Sequence, residues 1–278
     1  MKNRIEKYFI KQLTAFEKNF KKSKKEFDIE AIHEMRLSIK RTKALFLFFE
    51  YIDPDNFNAR NEFKSIKHLF KMAGNIRDIQ VQIRLVKNIR KGGKNKYKPY
   101  IKHLRAKETE AIVIFNKEVK ESLHQEVITN QDKILNVLRE VTNEERIREK
   151  TITLLNDKIS HIDKLRKDLG KEENIHEIRT TIKQIQYLFA FTKKYVSKKL
   201  FLQLSKKKLK KIENIFGDWH DRVNGLNLLT NYLESNQETD PGEYEFLKNK
   251  LELGKKMLFM QIKHILNKKL LFFFVLEL

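Results

Sequence analysis

The chain has 278 residues with no cysteine, three prolines and eight glycines, which excludes disulfides and thiolate metal sites and argues against a turn-rich sheet protein. Its 59 Lys and Arg against 37 Asp and Glu leave a formal net charge of +22, an excess that repels itself in a compact fold and calls for a polyanion: DNA, RNA, an anionic membrane or an inorganic phosphate polymer. The start, "MKNRIEKYFIKQL", interleaves charged and apolar residues unlike a secretory leader, and the terminal run "LLFFFVLEL" is far shorter than the ~20 residues that span a bilayer, so a cytoplasmic protein without a membrane span is expected.

Apolar residues recurring at three- and four-residue steps predict helices throughout. The first covers 2–22 and the second 28–51, after which Asp53 and Pro54 read as the cap and first-turn residue of a long third helix over 55–90. Gly92, Gly93 and Pro99 end it, and a fourth helix follows over 100–124. A partly apolar connection, 126–143, leads to a second set over 144–169, 173–196, 197–235 and 242–270, the last opened by a capping pattern of Asp240, Pro241 and Glu243. The expected fold is all-α: two four-helix repeats, 1–125 and 144–278, forming a single domain of paired bundles.

The two sets are copies. Shifted by 143 residues, "HEMRLSIKRTKALFLFF" (33–49) falls on "HEIRTTIKQIQYLFAFT" (176–192) with eight identities in 17 positions. At the same offset Gly74 meets Gly217, Asp78 meets Asp221, Lys64 meets Lys207 and Lys67 meets Lys210. Duplication of this kind joins the halves into one architecture.

The second helix of each repeat has two faces. Positions 32, 35, 39, 42, 46 and 49 carry Ile, Met, Ile, Thr, Phe and Phe, a stripe fit for burial. The other face carries His33, Arg36, Lys40 and Lys43, a row about 15 Å long at the helical rise, repeated as His176, Arg179, Lys183 and Gln186. No acid stands in either row, although i,i+4 acid–base pairs would stabilise a solvated face and stacked like charges destabilise it. An external anion is the expected neutraliser. A second row on the third helix, Lys64, Lys67, Lys71 and Arg77, has Lys207, Lys210, Asn214 and His220 as its copy. Asp78 and Asp221 recur beside these rows, with the expected task of orienting the neighbouring Arg77 or His220 by a charge-assisted hydrogen bond.

These residues resemble the CHAD family, the conserved histidine α-helical domain. The resemblance lies in His33, Arg36 and Lys40, their copies His176, Arg179 and Lys183, and the Gly74, Arg77, Asp78 element, and it extends over essentially the whole chain. It implies two four-helix bundles related by a pseudo-two-fold axis, a basic cavity or channel where they meet, and binding of inorganic polyphosphate there. Gln186, Asn214 and His220 depart from the pattern, so the first repeat is expected to bind more strongly. A CHAD-type domain is sometimes joined to a catalytic triphosphatase, and with no such region here a stand-alone, non-catalytic binding module is expected, with association with polyphosphate granules as its setting.

Physical chemistry favours the same partner. Polyphosphate has one charge per phosphate and no bases, so it suits a cationic groove without stacking platforms, with salt-sensitive affinity and histidines that gain charge near neutral pH. Nonspecific nucleic-acid binding is the alternative, although the aromatics sit at core spacing and no recognition motif is present. A metal site at His33 or His176 is the weakest reading, since cations flank both and no second ligand shares the face. Glu34 and Glu177 recur but point about 100° from the histidines and read as partners for neighbouring cations. Trp219 is expected to pack between helices; His68, His103, His124, His161 and His264 read as surface or interface residues; the C-terminal apolar run either covers a bundle end or forms a dimer contact. No cofactor is expected.

Overall fold

The computed structural model describes residues 2–26, 28–89, 97–119, 134–136, 144–195, 206–236, 240 and 242–267, and no strand occurs among them. The helices in order are α1 (Lys2–Glu26), α2 (Ile29–Ile52), the short α3 (Ala59–Glu62), α4 (Lys64–Ile89), α5 (Lys98–Glu118), α6 (Glu144–Leu165), α7 (Glu172–Thr192), α8 (Lys206–Ser235) and α9 (Gly242–Asn267). The stripe on α2 is buried at every position: Ile32, Met35, Ile39, Thr42, Phe46 and Phe49. So is its copy on α7: Ile175, Ile178, Ile182, Ile185, Phe189 and Thr192. Periodic apolar residues on both helices thus fix which face turns inward, and by elimination which face the cations occupy.

Helix ends follow local chemistry. Asp28 caps α2, its side chain accepting from the N–H groups of Glu30 and Ala31 while pairing with Lys22 of α1. Asp240 likewise accepts from the N–H of Gly242 at 2.9 Å to start α9. The long third helix expected from residue 55 is not continuous. Asp53 instead closes α2, donating its N–H to the Phe49 carbonyl at 2.8 Å, and Asn58 caps the short α3 before α4 begins. The cause is burial: Phe57 turns into the core, 5.7 Å from the rings of both Phe46 and Phe49, and Phe63 is buried as well. Tyr97, which precedes α5, adopts a left-handed φ of 63°, a conformation disfavoured outside glycine, and its ring is buried against Tyr244 of α9.

Each repeat contributes antiparallel pairs: α1 on α2, α5 on α4, α6 on α7 and α9 on α8. Across the repeats α2 packs on α7 and α4 on α8, so each central helix lies against its own duplicate. Contacts of α2 with α4 and of α7 with α8 complete the centre, and one apolar core runs through both repeats. Phe48 and Phe191, equivalent at the 143-residue offset, meet edge-on with ring centroids 5.4 Å apart. The connection 126–143, apart from the helical residues 134–136, and the C-terminal apolar run lie outside the described residues. No described helix is long and apolar enough to cross a membrane.

Candidate functional site

The packing of α2 on α7 brings like charge toward like charge. Arg36 and Lys40 of α2 and Arg179 and Lys183 of α7 are all half-buried where the two helices approach. Lys40 feels this most: loss of hydration, then repulsion from Lys183, Arg36 and Arg179, pushes its ammonium from the ordinary lysine range down to about 7, with Asp78 alone opposing among the main influences. Burial also lowers Lys183, Arg36 and Arg179, Lys183 being pushed further by Arg179. Burial is the first cause of each lowered value, with neighbouring cations adding to it at Lys40 and Lys183, while Asp78, Asp221 and Glu213 pull the other way.

In the first repeat these cations lie against aromatic rings and a backbone carbonyl, with Asp78 opposing their charge. The Arg36 Nη1 donates to the Phe70 carbonyl on α4 at 2.6 Å, and its guanidinium lies over the Phe70 ring, 4.5 Å from the centroid. Lys40 Nζ sits 5.7 Å from the same centroid, and Lys43 Nζ 5.1 Å from that of Phe63. Gly74 makes this seat possible: a Cβ there would come within 2.5 Å of Arg36 Nη1. The glycine of the motif therefore has a steric reason in this repeat. Its copy Gly217 has no atom near its missing Cβ.

The second repeat is built differently. Glu213 occupies the position equivalent to Phe70, and its Oε1 lies 3.5 Å from Lys183 Nζ. Arg179 Nε is buried without a hydrogen-bond partner. His176 and His220 meet with ring planes tilted by 60° and centroids 4.7 Å apart, and the Asn224 amide lies 3.3 Å from His220 Nε2. Burial, followed by Arg179, His176 and Lys183, pushes His220 down to about 3. Burial also lowers His33, aided by Arg77, and His176, aided by Arg179 and Lys183. In the unliganded protein the surroundings of all three therefore disfavour the charged imidazolium, most of all at His220.

The two recurring aspartates act through the cluster. Loss of hydration raises Asp78, against the pull of Arg36, Lys40, Arg179 and then Arg77. The same cause raises Asp221 to about 6, with Arg179 pulling it down and Asp218 and Asp78 pushing it further up. Their main partners are therefore the cations of α2 and α7, ahead of the adjacent Arg77 and His220. The Asp221 carbonyl also accepts from the Gln82 side chain at 2.8 Å, tying α8 to α4.

The site residues read from the sequence divide into two groups. Arg36, Lys40, Arg179, Lys183 and His220 form one electrostatic cluster, with His33, Arg77 and His176 coupled to its members. Lys43, Lys64, Lys67, Lys71 and Lys210 are exposed around it, while the Lys207 side chain lies outside the described atoms. Phe70, Glu213 and Tyr187 belong to the site and were not read there. Phe70 and Glu213 lie inside the lysine row of α4 and α8, where the unlike pair at equivalent positions was the available signal. Tyr187, raised by burial and then by Glu213, stands where the first repeat has Ala44. Glu177 lies 2.7 Å from His161 Nε2, and Trp219 is buried in the helix packing.

The sequence model of the CHAD domain matches residues 7–230. The chain belongs to the CHAD domain family. Among solved structures it resembles the CHAD domain from the plant Ricinus communis, with a TM-score of 0.77 at 14% identity over 96% of this chain and 91% of that one. At that identity the likeness carries the CHAD fold. Comparison with curated proteins gives no match. Among the described residues of this CHAD chain no three His, Asp or Glu side chains gather in a metal-binding group. What the arrangement offers chemically is a set of strong donors to an anion, Arg179 Nε among them, with no nucleophile and base in contact.

Proposed function

We propose that this CHAD chain binds inorganic polyphosphate, without catalysis, where α2 meets α7 and α4 meets α8. One observation carries the reading: Arg36, Lys40, Arg179 and Lys183 converge half-buried, and loss of hydration followed by repulsion among them pushes Lys40 down to about 7. A polyanion entering the cluster relieves that repulsion, raises the lysine pKa values and supplies acceptors to the guanidinium groups. His33, Arg77, His176 and His220 border this seat, and the exposed Lys43, Lys64, Lys67, Lys71 and Lys210, together with Lys207, extend the path for a long chain. The family's association with polyphosphate-related proteins supports this assignment, and granule targeting in the cytoplasm is the role that fits a binding module.

Nucleic acid is the competing polyanion. The aromatic rings nearest the cations, Phe70 and Phe63, are occupied by Arg36, Lys40 and Lys43, which leaves them unsuited to stacking bases. Retention on immobilised polyphosphate across a salt titration, with single-stranded and duplex DNA as competitors, tests the reading. Polyphosphate should outcompete DNA at physiological salt, and equal or better competition by DNA would transfer the site to nucleic acid.

A further inference from the structure

The α9 helix turns a second apolar surface outward. Its core side is buried through Tyr244, Leu247, Leu251, Ile262 and Leu266, yet Leu253, Met257 and Met260 are 50%, 57% and 58% exposed. Steps of four and three residues put these three on one line along the face away from the core, with the exposed His264 four residues further on. Apolar residues exposed singly need no explanation, whereas a row in line marks a surface made to be covered. The helix also lies beyond residues 7–230, the span matched by the family's sequence model. At the 143-residue offset Leu253, Met257 and Met260 correspond to Glu110, Ile114 and Lys117, so the equivalent helix of the first repeat does without such a row.

Charge says what covers the row. From Leu253 to Asn267 the helix contains no acid, and Lys256, Lys263 and His264 are exposed beside or within the row. Lys255 is already engaged by Glu172. The exposed acids of α9, Glu243, Glu245 and Glu252, all precede Leu253. In sequence the chain runs on through Lys268 and Lys269 into an apolar stretch, 270–276, far shorter than the ~20 residues of a bilayer span. A second copy of this chain would bring another +22 toward the same basic face. The complement of a basic, apolar face is negative charge over an apolar interior.

We propose that the second half of α9 docks on an anionic lipid surface, lying in the plane of a leaflet that carries acidic phospholipids. Leu253, Met257 and Met260 enter the boundary between headgroups and acyl chains, while Lys256 and Lys263 extend their ammonium groups to the headgroup phosphates. Lys268 and Lys269, with the apolar stretch after them, have the composition that such a contact uses. The inference stands apart from the polyphosphate seat, whose cations lie on α2, α4, α7 and α8.

Sedimentation of the full chain with vesicles tests it, comparing phosphatidylcholine alone with an equal mixture of phosphatidylcholine and phosphatidylglycerol. Wild type should partition to the mixed vesicles and about tenfold or more weaker to the neutral ones. The triple variant Leu253→Gln, Met257→Gln, Met260→Gln keeps every charge, so attraction by charge alone would leave its binding unchanged. The proposal requires a loss of about tenfold or more, with polyphosphate retention kept as the sign of a folded protein. Lys256→Gln with Lys263→Gln should lose about fivefold per lysine. Lys40→Met with Lys183→Met should bind the mixed vesicles as wild type does, and a large loss there would move the contact to the polyphosphate seat and overturn the proposal. Absence of vesicle binding, equal binding to neutral vesicles, or undiminished binding by the folded triple variant would each overturn it as well. So would a wild-type dimer in light scattering that the triple variant dissolves, in favour of a second copy on this face.

Discussion

The two basic helices carry the same His, Arg and Lys at the same spacing, yet they sit on opposite kinds of support. Against α2 the protein places the Phe70 ring and carbonyl, which hold Arg36 and Lys40, with Asp78 of α4 opposing their charge. Against α7 it places Glu213, which subtracts charge from Lys183, and leaves Arg179 Nε without a partner. A substitution at one equivalent position thus separates two tasks that the duplicated motif performs together. The first repeat concentrates positive potential on a rigid seat, and the second keeps a less committed guanidinium facing it.

That contrast breaks most sharply at the pair of lysines facing each other across the repeats. Replacing both, Lys40→Met with Lys183→Met, removes two charge-assisted contacts and should weaken polyphosphate binding roughly 100-fold. The same change removes buried, mutually repelling charges, so the melting temperature should hold or rise. Binding assays at fixed salt beside thermal melts would show the two effects moving in opposite directions.

The arginines separate stability from binding. Arg36→Gln leaves the Phe70 carbonyl with a weaker or missing donor and should cost about 1–3 kcal/mol in urea unfolding, whereas Arg179→Gln should cost less than about 1 kcal/mol because its Nε bonds nothing. Glu213→Phe sharpens the comparison in the other direction. Copying the first repeat's residue into the second should raise polyphosphate affinity several-fold, about threefold to tenfold, with the gain shrinking as salt is added. The exposed lysines give the smallest effects. Each of Lys43, Lys64, Lys67 and Lys71 changed to Gln should weaken binding about two- to threefold and lower the slope of log affinity against log salt by about 0.7.

The fold was legible because its signals are periodic and doubled. The stripe on α2 reappears on α7, so burial and helix could be read twice from independent residues. The break at α3 was not legible, because Asp53 and Pro54 look alike whether they open a helix or close the one before, and only the burial of Phe57 decides. The cations of the site could be named because like residues without acids are conspicuous. Their depth could not. Arg36, Lys40 and Arg179 lie off the apolar stripe, yet a pseudo-two-fold contact covers them with the other repeat, so reversing their charge would disturb packing as well as binding. The downward push on His220 was hidden for the same reason, since burial and then cations from both repeats cause it and no single helix records that company.

The central claim is that an anion seats on a lysine held near neutrality by its own duplicate. In the free protein burial and then the neighbouring cations push Lys40 down to about 7, and an unfolded chain holds that proton up to the ordinary lysine value, so stability should rise with pH between the two. A bound polyanion raises the pKa again, and affinity should therefore fall as pH climbs above about 7, by at most tenfold per pH unit for one group. Calorimetry of polyphosphate binding at about pH 8, in buffers of different ionisation enthalpy, reads this directly as protons taken up on binding. Uptake of about one proton or more by wild type, lost or sharply reduced in Lys40→Met, is the predicted result. Binding with no proton uptake, the same in both proteins, would contradict the account.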